Sequence, residues 1–420
     1  MLGWGQTWKL TETMTATLDD KGVLTISTTK DAEAMPDLFD TNQFGDFGIA
    51  PWKWQEVSLL SVVIEDKVTT VGAFAFANCN KLTSVKIPTS VKKIGRNAFA
   101  FCGALASIVI PNSVIIIGGN AFYGCETLTS ITIPNSVNAI EENAFDNCIS
   151  LTSVTIPNSV TTIGNSAFTN CIAITSITIP NSVITIGEFA FSQCTALTSV
   201  SISNSVTAIE YSTFSNCTAL KSVTIPNSVT SIGRNSFWGC SALVSVTIPN
   251  SVTTVGQEAF SECTALTSIT IPKSVTSLVA YAFIGCTSLK NVTIEWTTPL
   301  SLPMPVFGIV YETIAATLHV PIGTKARYQA AFHWKNFETI VEYDPTNTEH
   351  IKSLTLKAYA SNGILHISGL QAGKLISIYS ISGQLVYKGV AKTETEQIPL
   401  NVNGVYIVTS GNQTIKLVVK

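Results

Sequence analysis

The sequence carries little charge and few of the residues that usually perform chemistry. Only 12% of its 420 residues are Asp, Glu, Lys or Arg, its net charge is -3, and histidine occurs four times. Neither a basic footprint for nucleic acid nor an acidic tail is present. We therefore expect no nucleic-acid partner and no partner that is held mainly by charge.

Long apolar runs are missing as well. Although the mean hydropathy is positive, no run approaches the roughly 18 residues that span a bilayer, so we expect no transmembrane segment. Residues 1–10, MLGWGQTWKL, lack the basic start, apolar stretch and cleavage site of a secretory signal. The chain is expected either to be cytoplasmic or to begin after a removed signal.

Recognisable catalytic and metal-binding patterns are also missing. The sequence has no G-x-S-x-G, H-E-x-x-H, Walker loop or G-x-G-x-x-G. The histidines share no spacing suited to metal binding or acid-base work; they are His319, His333, His350 and His366. We expect no enzyme activity, no cofactor and no metal site.

What the sequence does have is a strict period. Every cysteine lies 23 residues from the next, at Cys79, Cys102, Cys125, Cys148, Cys171, Cys194, Cys217, Cys240, Cys263 and Cys286. Self-similarity at such a period is the mark of a solenoid.

Within one period, apolar residues mark the inward positions. After Cys148, Leu151 lies three residues on, and Val154 and Ile156 are spaced by two, as on one face of a short strand. Proline ends this strand in eight repeats. Serine then marks a turn, and Ala-Phe-x-x-Cys fits a short helical turn that faces inward. Each repeat is predicted to be a strand, a turn and a helical return.

A single repeat cannot fold alone, because its few inward side chains do not offset the backbone entropy of 23 residues. Stacked repeats share each apolar layer between neighbours. The period therefore predicts an α/β solenoid of about ten repeats with a parallel β-sheet.

The cysteines have three possible roles: disulfides, zinc ligands, or buried free thiols. Equivalent positions in stacked strands lie about 4.8 Å apart with parallel Cα–Cβ vectors, whereas a disulfide needs converging Cβ atoms near 3.8 Å. Zinc sites usually show C-x-x-C or clustered histidine, and neither is present. We expect free thiols packed as small hydrophobes beside phenylalanine.

The repeat resembles the BspA-like subfamily of bacterial leucine-rich repeats. It reads L-x-x-V-x-I-P followed by S-V-x-x-I-G-x-x-A-F-x-x-C, in register about ten times, with serine at the Ser159 position where other leucine-rich repeats have asparagine. The resemblance implies a right-handed solenoid. Residues 1–56 would form its N-terminal capping segment, 57–294 the repeats and 295–342 the C-terminal cap.

The last part of the chain loses the period. Residues 351–420 contain short alternating strands separated by Gly-rich turns, which predicts a small all-β sandwich after a linker at 343–350. The stretches SISGQLVYKG and NGVYIVTSGNQTIKLVVK resemble the C-terminal sorting domain of proteins exported by the Bacteroidetes type IX system. A plain immunoglobulin-like module would look much the same.

Two surfaces could bind a partner. The outward strand positions form columns of Ser and Thr, and the binding candidates among them are Thr132, Thr155, Thr178, Ser201, Thr224, Thr247 and Thr270. β-propensity alone also explains such columns. Regular Thr columns further resemble ice-binding solenoids, but a leucine-rich repeat sheet curves and an ice surface does not.

The second candidate is an aromatic edge, where the repeats differ from one another. Aromatic rings replace small or polar residues on the return at Tyr123, Phe189, Tyr211, Trp238 and Tyr281. They form either a contact surface or packing between neighbouring returns.

The family resemblance implies an extracellular or surface-attached bacterial protein. Members of that family adhere to host matrix proteins such as fibronectin and fibrinogen, or to other bacteria, so the implied function is non-catalytic adhesion to a matrix protein or glycan. A passive structural scaffold of the cell surface is the alternative.

The thiol assignment is directly testable. All ten cysteines should react with a thiol reagent after unfolding without reductant, and few should react in the native protein, because burial protects them. Thiol titration in the presence and absence of urea measures both values. Five missing equivalents in the unfolded sample would show disulfides and contradict the assignment.

Overall fold

The structure, a computed structural model, describes residues 5–38, 50–54, 58–308, 313–345, 357–361, 364–370, 374–380, 384–393, 395–399, 404–410 and 413–419. The chain divides into two units, Met1–Glu342 and Tyr343–Lys420. The first unit contains the repeats.

All but one of the coils contribute a short primary strand to parallel sheets that follow one another along the array. The alternation of side chains places Val and Ile inward and Ser and Thr outward, as the sequence predicts. The primary strands are Ser61–Ile64, Ser84–Lys86, Ser130–Thr132, Ser153–Thr155, Ser176–Thr178, Ser199–Ser201, Ser222–Thr224, Ser245–Thr247, Ser268–Ile271 and Asn291–Ile294. Ser107 joins the coil between the second and third of these strands through a single parallel bridge to Ser130. This arrangement confirms the predicted parallel solenoid.

A second parallel ladder, interrupted after Ile117 and after Ile186, runs along another side of the coils. Its strands are mostly two residues long: Glu33–Ala34, Val68–Val71, Lys93–Ile94, Ile116–Ile117, Ala139–Ile140, Thr162–Ile163, Thr185–Ile186, Ala208–Ile209, Ser231–Ile232, Thr254–Val255 and Ser277–Leu278. The second residue of these strands points into the core wherever the pair ends in Ile, Leu or Val. The sequence predicts one strand in each repeat, and the strands of this second ladder were not predicted.

In six coils, the serine that replaces the usual asparagine donates a hydrogen bond to the preceding coil. The Ser159 hydroxyl donates to the carbonyl of Val137 in the preceding coil at 2.6 Å, and Ser228 donates in the same way to Val206. Where Ser203 stands in place of proline, its hydroxyl donates to the carbonyl of Val183. A short hydroxyl therefore satisfies a buried carbonyl that an asparagine amide could also reach.

The return segment differs from the predicted helical turn. Its amides alternate between two kinds of acceptor: Phe99 N donates to Ala121 O in the next coil at 2.9 Å, whereas Ala100 N donates to Asn97 O three residues back at 3.1 Å. Because every second amide bonds to a neighbouring coil, the i to i−4 ladder of an α-helix cannot form. The return is a chain of tight turns.

Left-handed residues fix this path. In the coils from Phe74 onward, the residues five and one before each cysteine have positive φ, as at Asn143 (51°) and Asn147 (59°). Asparagine and glycine tolerate this conformation well, and they occupy many of these positions. Gly124, for example, has a φ of 67° directly before Cys125.

A column of phenylalanine rings fills the core. Neighbouring rings are stacked with centroids 5.2 to 5.6 Å apart and planes within 18° of parallel. The column comprises Phe76, Phe99, Phe122, Phe145, Phe168, Phe191, Phe214, Phe237, Phe260, Phe283 and Phe307. Rings from Phe76 to Phe283 are fully buried, so each coil completes the core of its neighbours.

The thiols pack beside this column, as the spacing predicts. All ten are free cysteines, and eight are buried. From Cys102 to Cys286, each Sγ lies 3.2 to 3.3 Å from the carbonyl oxygen of the phenylalanine 26 residues earlier, as in Cys171 to Phe145. Burial raises the pKa of Cys194 and Cys240 to about 12, which suppresses the reactive thiolate.

Three N-terminal strands lead into the array. Gln6–Lys9, Met14–Leu18 and Val23–Thr28 pair antiparallel, and the last of them pairs in parallel with Ser61–Ile64. A 3₁₀ turn at Pro51–Trp54 then brings the ring of Trp52 onto Phe76, with 5.8 Å between centroids.

One carboxylate organises this N-terminal end. Glu33 accepts hydrogen bonds from the hydroxyls of Thr11, Thr13 and Thr28. These bonds, Thr28 first and then Thr11, lower the pKa of Glu33.

At the opposite end, Ile314–Pro321 pairs in parallel with Asn291–Ile294 and extends the sheet. The helix Lys325–Ala330, the 3₁₀ turn Trp334–Asn336 and the strand Phe337–Tyr343 follow. Trp334 is fully buried beside Phe307, and its Nε1 donates to the Leu300 carbonyl at 2.9 Å. An indole therefore packs at each end of the phenylalanine column.

The second unit has its own core within two antiparallel sheets. Its strands are Lys357–Ser361, Ile364–Ser368, Leu375–Ser380, Leu385–Val390, Thr395–Pro399, Gly404–Ser410 and Gln413–Val419. This agrees with the predicted small all-β unit. Residues 346–356 lie outside the described residues, so the linker at 343–350 remains a prediction.

The phenylalanine column predicts a large cost for removing one ring. Phe168→Ala should lower the free energy of unfolding by about 3 to 5 kcal/mol, because both neighbouring rings lose contacts. Urea denaturation followed by circular dichroism measures the loss. Thr155→Ala, an exposed change on the same coil, should stay within about 0.5 kcal/mol. Equal losses in the two variants would contradict the role of the column.

Glu33 predicts an acid-sensitive N-terminal end. A lowered folded pKa means that the carboxylate contributes stability above its unfolded pKa, and this contribution is lost as the pH falls through the folded value. Glu33→Gln should therefore weaken amide protection in Met14–Leu18 at neutral pH and have little effect in acid. Hydrogen exchange at both pH values checks this, and a difference that does not depend on pH would refute it.

Candidate functional site

The candidate hydroxyl face consists of the seven outward residues Thr132, Thr155, Thr178, Ser201, Thr224, Thr247 and Thr270. All seven side chains are exposed. Their order follows strand register, with Thr132 opposite Thr155 and Ser201 between Thr178 and Thr224. A parallel column of exposed serines, from Ser84 to Ser268, lies two residues earlier in each strand. Within each column, the strand spacing places successive residues about 4.8 Å apart.

A third column of threonines, which includes Thr152 and Thr198, forms hydrogen bonds between neighbouring coils. Thr152 donates to the Thr129 carbonyl at 3.1 Å, and Thr198 donates to the Thr175 carbonyl at 2.9 Å. These hydroxyls are therefore used between coils. Within the part of the chain that the structure describes, the seven residues of the hydroxyl face form no hydrogen bond through their side chains. Their donors and acceptors remain open to solvent or a ligand.

Both ends of the hydroxyl face differ from its middle. In the coil before Thr132, the equivalent outward position holds Val109, which is 81% exposed. In the coil before that, the same position holds Lys86. At the other end Thr293 pairs with His319, whose Nε2 lies 3.0 Å from the Asn291 amide oxygen. The array period does not reach His319, so only the structure brings this histidine to the sheet.

The structure does not join the aromatic residues into one stripe. Tyr123, Phe189, Tyr211, Trp238 and Tyr281 are all half-buried, and they occupy three different positions relative to the following cysteine. Phe189 meets Tyr211 edge to face at 4.8 Å. Phe189 and Tyr281 have positive φ values of 56° and 61°, which is uncommon for bulky residues. Local pairs between neighbouring returns describe this edge better than a continuous surface.

Two further residues belong to this edge. Phe101 is 48% exposed and meets Tyr123 edge to face at 5.0 Å. The carboxylate of Asp146 accepts a hydrogen bond from the side-chain Nδ2 of Asn147 at 2.9 Å, and burial raises the pKa of Asp146 to about 6. Phe101 lies directly before its cysteine, a position that none of the five aromatic candidates occupies. Asp146 lies two residues before its cysteine, as Tyr123 and Trp238 do, and a search for aromatic residues misses it because it is not aromatic.

No cluster of three or more His, Cys, Asp or Glu residues that could hold a metal occurs among the described residues. In the same part of the chain, no helix has the length and apolar character needed to cross a bilayer. The described geometry thus offers binding through hydroxyls, amides and aromatic rings.

Comparison with solved structures finds several similar chains, two of which are described as leucine-rich proteins. A protein from Bacteroides ovatus is 26% identical, with 80% of this chain and 100% of that chain covered and a TM-score of 0.48. A leucine rich cell surface protein from Faecalibacterium prausnitzii is 26% identical, with 82% and 97% covered and a TM-score of 0.43. The pneumococcal vaccine antigen PcpA is 18% identical, with 81% and 99% covered and a TM-score of 0.39.

No curated protein matches the chain. The family model of the BspA type leucine rich repeat region, which comprises six copies, matches residues 53–175, 115–243 and 161–290. Together these matches span more than half of the sequence and cover the coils described above. The chain belongs to the BspA type leucine-rich repeat family.

Proposed function

We propose that this protein is a non-catalytic adhesion or ligand-capture protein, secreted or attached at a bacterial surface. Leucine-rich repeat solenoids are generally binding scaffolds. The partner would be a host matrix protein of the fibronectin or fibrinogen kind, a glycan, or another bacterium.

The observation that carries this proposal is the hydroxyl face. Seven exposed hydroxyls occupy the same position on successive coils and form no side-chain hydrogen bond within the described chain. Such a row can donate to and accept from successive polar groups of an extended partner, and the stacked coils hold it rigidly. Each bond is weak, so affinity would come from their number.

The charge of this surface predicts how binding depends on salt. The two outward columns contain no charged residue from Ser107 to Thr293. A neutral face loses little to screening, so adhesion through it should tolerate salt.

We further propose that the unit 343–420 serves export or attachment. Its separate core and two antiparallel sheets support an independent module. Its resemblance to a type IX sorting domain rests on the sequence stretches quoted above.

The adhesion proposal predicts saturable, salt-tolerant binding of the full chain to immobilised fibronectin, fibrinogen or a member of a glycan panel. Thr155→Lys/Thr178→Lys/Thr224→Lys should raise the dissociation constant about tenfold or more, because long charged side chains block the face. Surface plasmon resonance at low and high salt measures both effects.

The matched control places three lysines on strands of the second ladder, as Thr162→Lys/Thr185→Lys/Ser231→Lys, and should bind like the parent. A separate variant, Phe189→Ala/Tyr211→Ala, tests the aromatic edge. Loss of binding in that variant alone would move the site to the edge. No saturable binding to any probe would favour the passive scaffold.

A further inference from the structure

Charge is distributed very unevenly over three consecutive coils. Residues 80–102 contain five cations and no acid: Lys81, Lys86, Lys92, Lys93 and Arg96. Residues 103–125 contain no charged residue. Residues 126–148 contain four acids and no cation: Glu126, Glu141, Glu142 and Asp146. A basic coil, a neutral coil and an acidic coil are thus stacked in that order.

Along the second ladder, residues of the basic, the neutral and the acidic coil lie on one exposed surface. We call this surface the ladder patch; it comprises Lys92, Lys93, Ile115, Ile116, Asn138, Ala139, Glu141 and Glu142. Lys93 is the register partner of Ile116, and the Ile115 amide donates to the Lys92 carbonyl at 2.9 Å. The two lysines and the two isoleucines therefore lie side by side on adjacent coils.

Among the repeats, an adjacent pair of isoleucines occurs at this place only in the neutral coil, although Ile184, at the position of Ile115, is also exposed. Ile115 is 49% exposed and Ile116 is 42% exposed. Two coils further on, the same positions are Thr161 and Thr162, which suit a surface that stays in water. Two adjacent exposed isoleucines form an apolar spot in the centre of the ladder patch.

Contacts within the chain use only part of the charge. Arg96 reaches across the neutral coil to Glu142 at 3.2 Å. Gly119 leaves room for this pair, since a Cβ there would lie 3.0 Å from the Glu142 side chain. Among the described residues, Lys92, Lys93 and Glu141 form no ion pair. Two cations and one acid of the patch thus remain available to a partner.

We propose that the ladder patch binds the same patch of a second copy of this chain. In a two-fold symmetric interface, if residue i meets residue j, then j also meets i. A two-fold axis through Ile115 and Ile116 makes the ladders antiparallel. The isoleucines of both copies then meet at the axis, and the basic coil of each copy lies against the acidic coil of the other.

The sequence of charges favours a second copy over other occupants. An anionic membrane or polyanion would be drawn to Lys92 and Lys93, but Glu141 lies two coils away, about 10 Å along the ladder, and would repel it. A cationic partner would meet the opposite difficulty. Only a partner with the reverse order of charge satisfies both outer coils, and the patch itself, turned by half a rotation, has that order.

The size of the patch indicates a weak dimer. Three coils extend over only about 15 Å along the ladder, whereas stable complexes bury roughly 800 Å² on each partner. Exposed charges provide much of the complementarity, so salt should weaken the association. This sensitivity separates the dimer from adhesion through the neutral hydroxyl face.

Sedimentation of the full chain over a micromolar concentration range tests the proposal. At low salt we expect a concentration-dependent monomer–dimer equilibrium that shifts towards monomer at high salt. Ile115→Thr/Ile116→Thr, which installs the residues found at 161 and 162, should weaken the dimer at least about tenfold. Val109→Thr, an equally conservative change on the primary sheet, should leave it unchanged.

Charge exchange tests the antiparallel arrangement through the gain of a heterodimer as well as the loss of the homodimer. Lys92→Glu/Lys93→Glu and Asn138→Lys/Glu141→Lys should each be monomeric, and an equimolar mixture of the two should form a heterodimer, because both cross-pairs then have opposite charges. This result also excludes misfolding of either variant. A parent protein that stays monomeric at low salt, a mixture that does not associate, or a dimer lost with Val109→Thr would overturn the proposal.

Discussion

The contact between one coil and the next is the constraint on which this structure depends. A repeat of 23 residues does not complete a core alone: its phenylalanine stacks between the rings of the coils before and after it. Half of its return amides and its cysteine thiol also bond to a neighbouring coil. Stability is therefore approximately a sum of nearest-neighbour terms, and Trp52 and Trp334 supply the missing neighbour at the two ends of the ring column.

This dependence separates the roles of inward and outward residues. Inward positions must stay nearly constant, because a ring of different size would disturb the packing against both neighbouring coils. Outward positions carry no such restriction, which allows Lys86, Val109 and Thr132 to occupy equivalent places on successive coils. Binding specificity can thus change coil by coil while the core remains the same. The hydroxyl face and the ladder patch differ in composition because of that freedom.

The sequence predicts much of this architecture, because short periodicities report side-chain direction. Alternation around Val154 identified the sheet and its outward threonines, and the single cysteine per period identified the column of thiols. The structure of the return was harder to predict from the sequence. A three-residue spacing, as between Phe168 and Cys171, fits a helical turn and a chain of tight turns equally well. Only the bonds between coils decide between them. The second ladder was missed because two residues are too few to show alternation, and the charged coils were missed because whole-chain totals cancel them.

The direction of the hydrogen bonds has a mechanical consequence. The bonds of both parallel ladders join one coil to the next and so run along the array. Tension between its ends would load a single inter-coil contact at a time, and the coils would peel away in succession instead of yielding together. Each released coil would lengthen from about 5 Å to roughly 80 Å of extended chain. Under an axial pull the array would therefore lengthen in steps, one coil at a time.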